Sequence, residues 1–123
     1  MASIIVISGK QKGEFLPLGQ RTSVIGRAET LPLQILSDLV SRKHLRIFYD
    51  HSKNQYFAED MNSKHGVLIN MQKINEAMVL SDGDEILIGD VKLMFSNEDF
   101  DNSESAMSHY KKVGERKRTT IGQ

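Results

Sequence analysis

Cysteine is absent from the 123 residues. That excludes a disulfide scaffold and a thiolate zinc site, and it suits a reducing compartment, so a cytoplasmic location is expected. Net charge is absent too: 16 Lys and Arg balance 16 Asp and Glu, and no global field draws the chain to nucleic acid or to a membrane. No apolar run approaches the roughly 20 residues of a membrane span. The opening MASIIVISGK has neither a basic leading segment nor a long apolar h-region, so no signal peptide is expected and SIIVIS reads as a buried first strand. There is no internal repeat. No carboxylate cluster stands beside the polar residues of interest, and no metal or cofactor is expected.

What is present is an ordinary globular composition, 39% hydrophobic and 26% charged, with length for one domain and a modest core. Short β-type runs recur at close spacing: Ser3–Ser8, Glu14–Leu18, Thr22–Gly26, Gln34–Leu36, His44–Tyr49, Gln55–Glu59, Val67–Ile69, Gln72–Ile74, Glu85–Ile88 and Val91–Phe95. Alternation is visible in Leu45, Ile47 and Tyr49, and in Ile86 and Ile88. Turn residues separate the runs, and Gly89-Asp90 between EILI and VKLMF reads as a two-residue hairpin loop. No helical period appears in the first 96 residues. The fold class is all-β, a β-sandwich or small barrel.

Composition shifts near the end. Residues 1–98 carry the large aliphatics, and residues 99–123 form a polar tail, acidic first and basic last, expected to be mostly disordered or weakly helical around Ser103–Val113.

The polar residues that invite attention fall between strands. Arg27 follows a strand end at Gly26. Ser41-Arg42-Lys43 precede the strand that starts at His44. Ser63-Lys64-His65-Gly66 precede VLI, and Asn70 follows it. Loops of a sandwich gather at its ends, so several of these can meet. The chemistry they offer together is anion recognition. Arg27 can fork onto two phosphate or carboxylate oxygens. Ser41 can donate from its hydroxyl and from its backbone N–H, while Arg42 and Lys64 add positive charge. Nothing is poised to attack phosphorus, so the set holds a phosphate rather than cutting it.

Gly26-Arg27, Ser41-x-x-His44, Ser63-x-x-Gly66, Ile69-Asn70 and the late Asp82-Gly83-Asp84 with its Ile-x-Ile-Gly run resemble, in order and spacing, a forkhead-associated (FHA) domain over roughly residues 3–96. The resemblance implies a sandwich of two twisted, mostly antiparallel sheets, about eleven strands in all, that binds phosphothreonine peptides through its loops. Carried over by position, Arg27 and Ser41 contact phosphate and Arg42 lines the site. His44 braces the Ser41 loop from behind, Gly26 and Gly66 hold backbone turns, and Asn70 hydrogen-bonds the peptide main chain. The third motif departs from the family pattern. Lys64 and His65 stand where a small hydroxyl residue and an asparagine are usual, and Val67 replaces the usual threonine. Lys64 can replace the hydroxyl as a stronger, less directional phosphate contact; His65 either donates to the peptide or fills space.

The expected partner is a phosphothreonine-containing protein or peptide in Ser/Thr kinase signalling. The kinase itself, or the chain's own tail, is a further candidate. Arg116-Lys117-Arg118-Thr119-Thr120 resembles sites that basic-directed kinases accept, and small bacterial FHA proteins carry a similar Thr-Thr pair whose phosphate folds back into their own site. A phosphate there adds about −1.5 to −2 charge, and about 25 random-coil residues reach roughly 25 to 30 Å. Three other readings compete. One is an FHA scaffold making phosphate-independent contacts. Another is nucleic-acid binding through KKVGERKR, which has Tyr110 as its one stacking partner. The last is a Ser41–His44 hydrolase, for which the sequence has no nucleophile elbow and no acidic residue placed to orient His44.

Overall fold

The computed structural model describes residues 2–97, and these form eleven strands in two sheets with no helix. In chain order they are β1 Ser3–Val6, β2 Phe15–Pro17, β3 Ser23–Gly26, β4 Leu33–Gln34, β5 Leu45–Asp50, β6 Gln55–Asp60, β7 Val67–Ile69, β8 Gln72–Lys73, β9 Met78–Val79, β10 Glu85–Ile88 and β11 Val91–Ser96. The first sheet runs β2-β1-β11-β10-β7-β8 and the second β4-β3-β5-β6-β9. Every pairing is antiparallel except β3 with β4. The expected sandwich of mostly antiparallel sheets is what forms.

The two-residue period of the strands explains the core. Ile4 and Val6 of β1, Leu93 and Phe95 of β11, Ile86 and Ile88 of β10, and Val67 of β7 turn inward from one sheet. Ile25, Leu45, Ile47 and Ala58 turn inward from the other, and all of them sit in one buried cluster. The chain's two prolines are at sheet margins: Pro17 lies in the edge strand β2 and Pro32 directly precedes the edge strand β4. An edge tolerates a residue that cannot donate to the ladder.

Turn chemistry fixes the hairpins. Gly89 has φ of 58° and Asp90 is not among the positive-φ residues, which is the type II′ pattern, with Ile88 opposite Val91. At β5–β6, Asp50 accepts from the Ser52 hydroxyl at 2.6 Å and from the Ser52 and Lys53 amides at 2.9 and 3.2 Å. Those bonds, the Ser52 hydroxyl foremost, hold its carboxyl below the usual carboxylate range.

Sequence and structure differ in two places. β4 is Leu33–Gln34 rather than Gln34–Leu36, because its ladder with β3 pairs Leu33 with Ile25 and ends at Gln34 opposite Gly26, where β3 ends; Ile35 beyond it is buried and Leu36 exposed. β9 has no counterpart among the predicted runs. Both its residues are exposed, so it carries no alternation; only its pairing with Phe57 and Ala58 makes it a strand. The predicted tail, residues 99–123, lies outside the described residues, as do its weak helix and Thr119 and Thr120.

Candidate functional site

Gly26 ends β3 where the loop between β4 and β5 crosses it. Two backbone bonds join them: Arg27 N–H donates to Ser41 O at 2.9 Å and Ala28 N–H to Arg42 O at 3.0 Å. The approach is so close that a Cβ on Gly26 would lie 2.8 Å from the Ser41 carbonyl oxygen and nearer still to that of Arg42. The Arg27 side chain is tied to the same loop, its Nε donating to Val40 O at 3.0 Å. The terminal nitrogens of the guanidinium therefore project from an anchored base beside Ser41. Arg27 is exposed and Ser41 half-buried.

His44 sits behind them, fully buried. Its Nδ1 accepts the Ser41 N–H at 3.0 Å, and its Nε2 lies 2.7 Å from Gly66 O. Nδ1 faces a donor, so the ring proton is on Nε2 and is donated to Gly66 O. One neutral imidazole thus pins the Ser41 loop to the loop between β6 and β7. A second link is outward: Lys64 N–H donates to Ser41 Oγ at 3.1 Å. The hydroxyl keeps its proton for an acceptor in the site, since a serine oxygen accepts and donates at once. The Ser41 N–H, expected as another phosphate donor, is instead engaged by His44.

The β6–β7 loop is shaped by Asp60. It accepts from the Ser63 hydroxyl and from Ser63 N–H, the latter at 3.2 Å, and Ser63 Oγ in turn accepts from Gly66 N–H at 3.0 Å. This leaves Lys64 and His65 exposed at the tip. Lys73 of β8 reaches the same place: its Cε would lie 2.9 Å and its Nζ 3.6 Å from a Cβ on Gly66, where φ is 78°. Arg42, Lys43, Lys64 and Lys73 are all exposed, so the rim around Arg27 and Ser41 is cationic.

Further supports come from the first sheet. Leu39 O lies 2.5 Å from where a Cβ of Gly89 would stand, and Ser37 Oγ donates to Asp90 at 2.5 Å, so the β10–β11 turn buttresses the Ser41 loop. Gln11 donates to Gln34 O and accepts from Leu36 N–H, both at 2.7 Å. Five loops therefore meet at one end of the sandwich.

Of the predicted residues, the structure brings together Gly26, Arg27, Ser41, Arg42, His44, Lys64, His65 and Gly66. It does not bring Asn70. That residue caps the opposite end of β7, about 13 Å along the strand from Gly66. Both ends of its amide are engaged: Nδ2 donates to Asp84 at 3.0 Å and Oδ1 accepts Glu85 N–H at 3.0 Å. Asn70 and Met71 have φ of 50° and 70°, and a short amide side chain tolerates that backbone. Its role is a turn lock, not a peptide contact. Asn70→Ala should lower stability by about 1–2 kcal/mol in chemical denaturation and leave ligand affinity within a factor of about two. Four residues were not singled out from sequence as part of the site. Asp60 has a local signal, an Asp three residues before a Ser. Lys73 and Gln11 have none, since each acts across the fold; Gly89 belongs to the hairpin and to the Ile-x-Ile-Gly run, but its approach to Leu39 O is made across the fold.

Comparison with known proteins bears on the fold and the family. The family model for the FHA domain matches residues 23–89. An oxoglutarate dehydrogenase inhibitor of Corynebacterium jeikeium is 33% identical over 96 residues, 78% of this chain and 65% of that protein. EmbR of Mycobacterium tuberculosis, solved in complex with a low-affinity phosphopeptide, is 30% identical, with a TM-score of 0.67 over 77% of this chain and 24% of that one. An FHA domain of Chlamydia trachomatis superposes with a TM-score of 0.72 at 21% identity, over 80% of this chain and 98% of that one. The chain spans less than two thirds of the length of the first curated relatives it matches. Its arginine and serine loops, the histidine that ties them and the family model that spans them lead to one conclusion: the chain belongs to the FHA domain family.

Proposed function

We propose that residues 1–98 form a phosphothreonine-peptide recognition module, a non-catalytic adaptor in Ser/Thr kinase signalling that works in the cytoplasm. The observation that carries this reading is the pairing of Arg27 and Ser41, one anchored on Val40 O and the other linked to Lys64 N–H, within a cationic rim. Arg27 supplies a charge-assisted fork and Ser41 a hydroxyl donor, with Arg42 and Lys64 adding charge and His65 meeting the peptide. FHA domains are generally phosphopeptide-binding modules without catalysis. A hydrolytic reading finds no support in His44, whose two nitrogens are both engaged by main-chain groups, so it cannot take a proton from Ser41 Oγ.

The test is a phosphothreonine peptide library screened against the full chain, with the best sequence titrated into variants. The expected affinity is micromolar, about −8 kcal/mol. Arg27→Ala should weaken it about 100-fold, the loss of roughly 2–3 kcal/mol of charge-assisted bonding, while Tm falls by only about 4–8 °C from the lost bond to Val40 O. Lys64→Thr should weaken it about 5-fold and flatten its salt dependence, as for an exposed and screened cation. Equal binding of phosphorylated and unphosphorylated peptide by folded protein would replace this reading with the phosphate-independent scaffold. The phosphothreonine comes from a partner protein or from Thr119 or Thr120. Kinase treatment that blocks peptide binding in the wild type, and not in the Thr119→Ala/Thr120→Ala chain, would identify the tail as the source. Steeply salt-dependent binding to DNA or RNA would instead point to the basic tail as a nucleic-acid contact.

A further inference from the structure

Cross-strand partners in an antiparallel sheet point to the same side, and successive residues to opposite sides. In β1 and β11 this sorts the side chains into two sets. Ile4, Val6, Leu93 and Phe95 belong to the core between the sheets. Ile5 pairs with Met94 and with Phe15, so these three point the other way, out of the sandwich. Neither Ile5, Ile7 nor Met94 belongs to the core cluster. The outer face of a sandwich sheet is ordinarily wet and polar. Here Ile5 is 0%, Met94 1% and Ile7 5% exposed, and the Ser3–Ser96 pair on the same side is also 0% exposed. Toward β10 and β7 the same face opens, with Leu87 and Leu68 half-buried and Lys92 exposed.

Something covers β1 and the second half of β11. All eleven strands lie in the two sheets, so no strand among the described residues forms a third layer over this face. The sequence continues from Asn97, directly beyond β11, with 26 residues. Among them Ala106, Tyr110 and Val113 fall at i, i+4 and i+7, with Met107 beside them and Phe100 ahead. A helix over Ser103–Val113 would be about 16 Å long, close to the roughly 20 Å of a six-residue strand such as β11.

We propose that Phe100–Val113 docks as an amphipathic helix on the outer face of the first sheet and covers Ile5, Ile7 and Met94. Attachment at Ser96 gives the segment an effective concentration near the millimolar range, which favours it over a second copy. Docking also shortens the free tail. Thr119 and Thr120 follow Val113 by six and seven residues, at most about 25 Å of extended chain.

The absence of cysteine allows a single nitroxide at Ser108→Cys, opposite the apolar stripe, in the full chain. Methyl signals of Ile5, Ile7 and Met94 should broaden strongly, and those of Ile25 and Leu45 in the second sheet much less. A mixture of nitroxide-bearing chain at natural isotope abundance with isotope-labelled chain lacking the nitroxide should show no broadening. Unbroadened Ile5 and Met94 signals would overturn the proposal, and broadening in the mixture would overturn it in favour of a second copy. The Met107→Asp/Tyr110→Asp variant should lose roughly 10 °C of Tm and let peroxide oxidise Met94 at least about tenfold faster. Phosphopeptide affinity should stay within a factor of about two. Unchanged Tm with Met94 still protected would also overturn it.

Discussion

Gly26→Ala should destabilise the domain by about 3 kcal/mol or more and abolish phosphopeptide binding in whatever fraction stays folded. The new methyl group would stand 2.8 Å from the Ser41 carbonyl oxygen and the Arg42 carbonyl carbon, and closer to the Arg42 carbonyl oxygen. These are backbone atoms, so no rotamer change relieves the clash. Moving the loop away breaks the bonds from Arg27 N–H and Ala28 N–H to the same two carbonyls. It also pulls on His44, whose own N–H is bonded to Ile25 O at 3.0 Å. Stability and binding therefore fail together, because the atoms that seat the loop are those that place Ser41 beside Arg27. Thermal unfolding should show a fall of roughly 10 °C or more. Gly9→Ala is the control. It has nothing within 4 Å of its Cβ and φ of 78°, so it should cost only the backbone term of about 1 kcal/mol and leave affinity alone. A Gly26→Ala protein with wild-type Tm and affinity would show that the loop is free to retreat, contrary to this account.

The second large effect is expected at His44. Its removal as His44→Ala should cost about 3–5 kcal/mol. That combines a ring-sized cavity with a buried Ser41 N–H and Gly66 O left without partners. The folded remainder should bind phosphopeptide at least about tenfold more weakly, because the Ser41 loop and the Lys64 loop lose their common brace. His44→Asn separates the two contributions. Its amide oxygen stands near the Nδ1 position and can accept Ser41 N–H, but it is too short to donate to Gly66 O, so it should recover part of the loss. Chemical denaturation gives the stability order, wild type above Asn above Ala, and peptide titration should give the same order. Equal stability of Ala and Asn would mean that the Ser41 bond contributes nothing and the ring merely fills space.

These two residues also mark how far the sequence is legible. The buried faces of β5 and β10 were readable because alternation is a local consequence of the pleat. The turn at Gly89 was readable because its residue type matches what the backbone must do there. β9 was not, since two exposed residues bear no period. His44 was correctly expected to brace the Ser41 loop, on the strength of a family resemblance. The spacing alone does not reveal that it also reaches Gly66, 22 positions later.

The amino-acid sequence by itself determined the all-β class, most strands, the two-residue hairpin at Gly89-Asp90 and the order of residues that marks an FHA domain. All of these depend on contacts between near neighbours or on the identity of single residues. The tertiary structure alone decided which loops share an end of the sandwich. It assigned Ser41 N–H to His44 instead of to a ligand. It brought Lys73 and Gly89 to a site their positions in the chain do not suggest, and it removed Asn70 to the far end of β7. Each of those outcomes turns on how the strands are paired, and pairing is a property of two distant segments that neither one encodes alone.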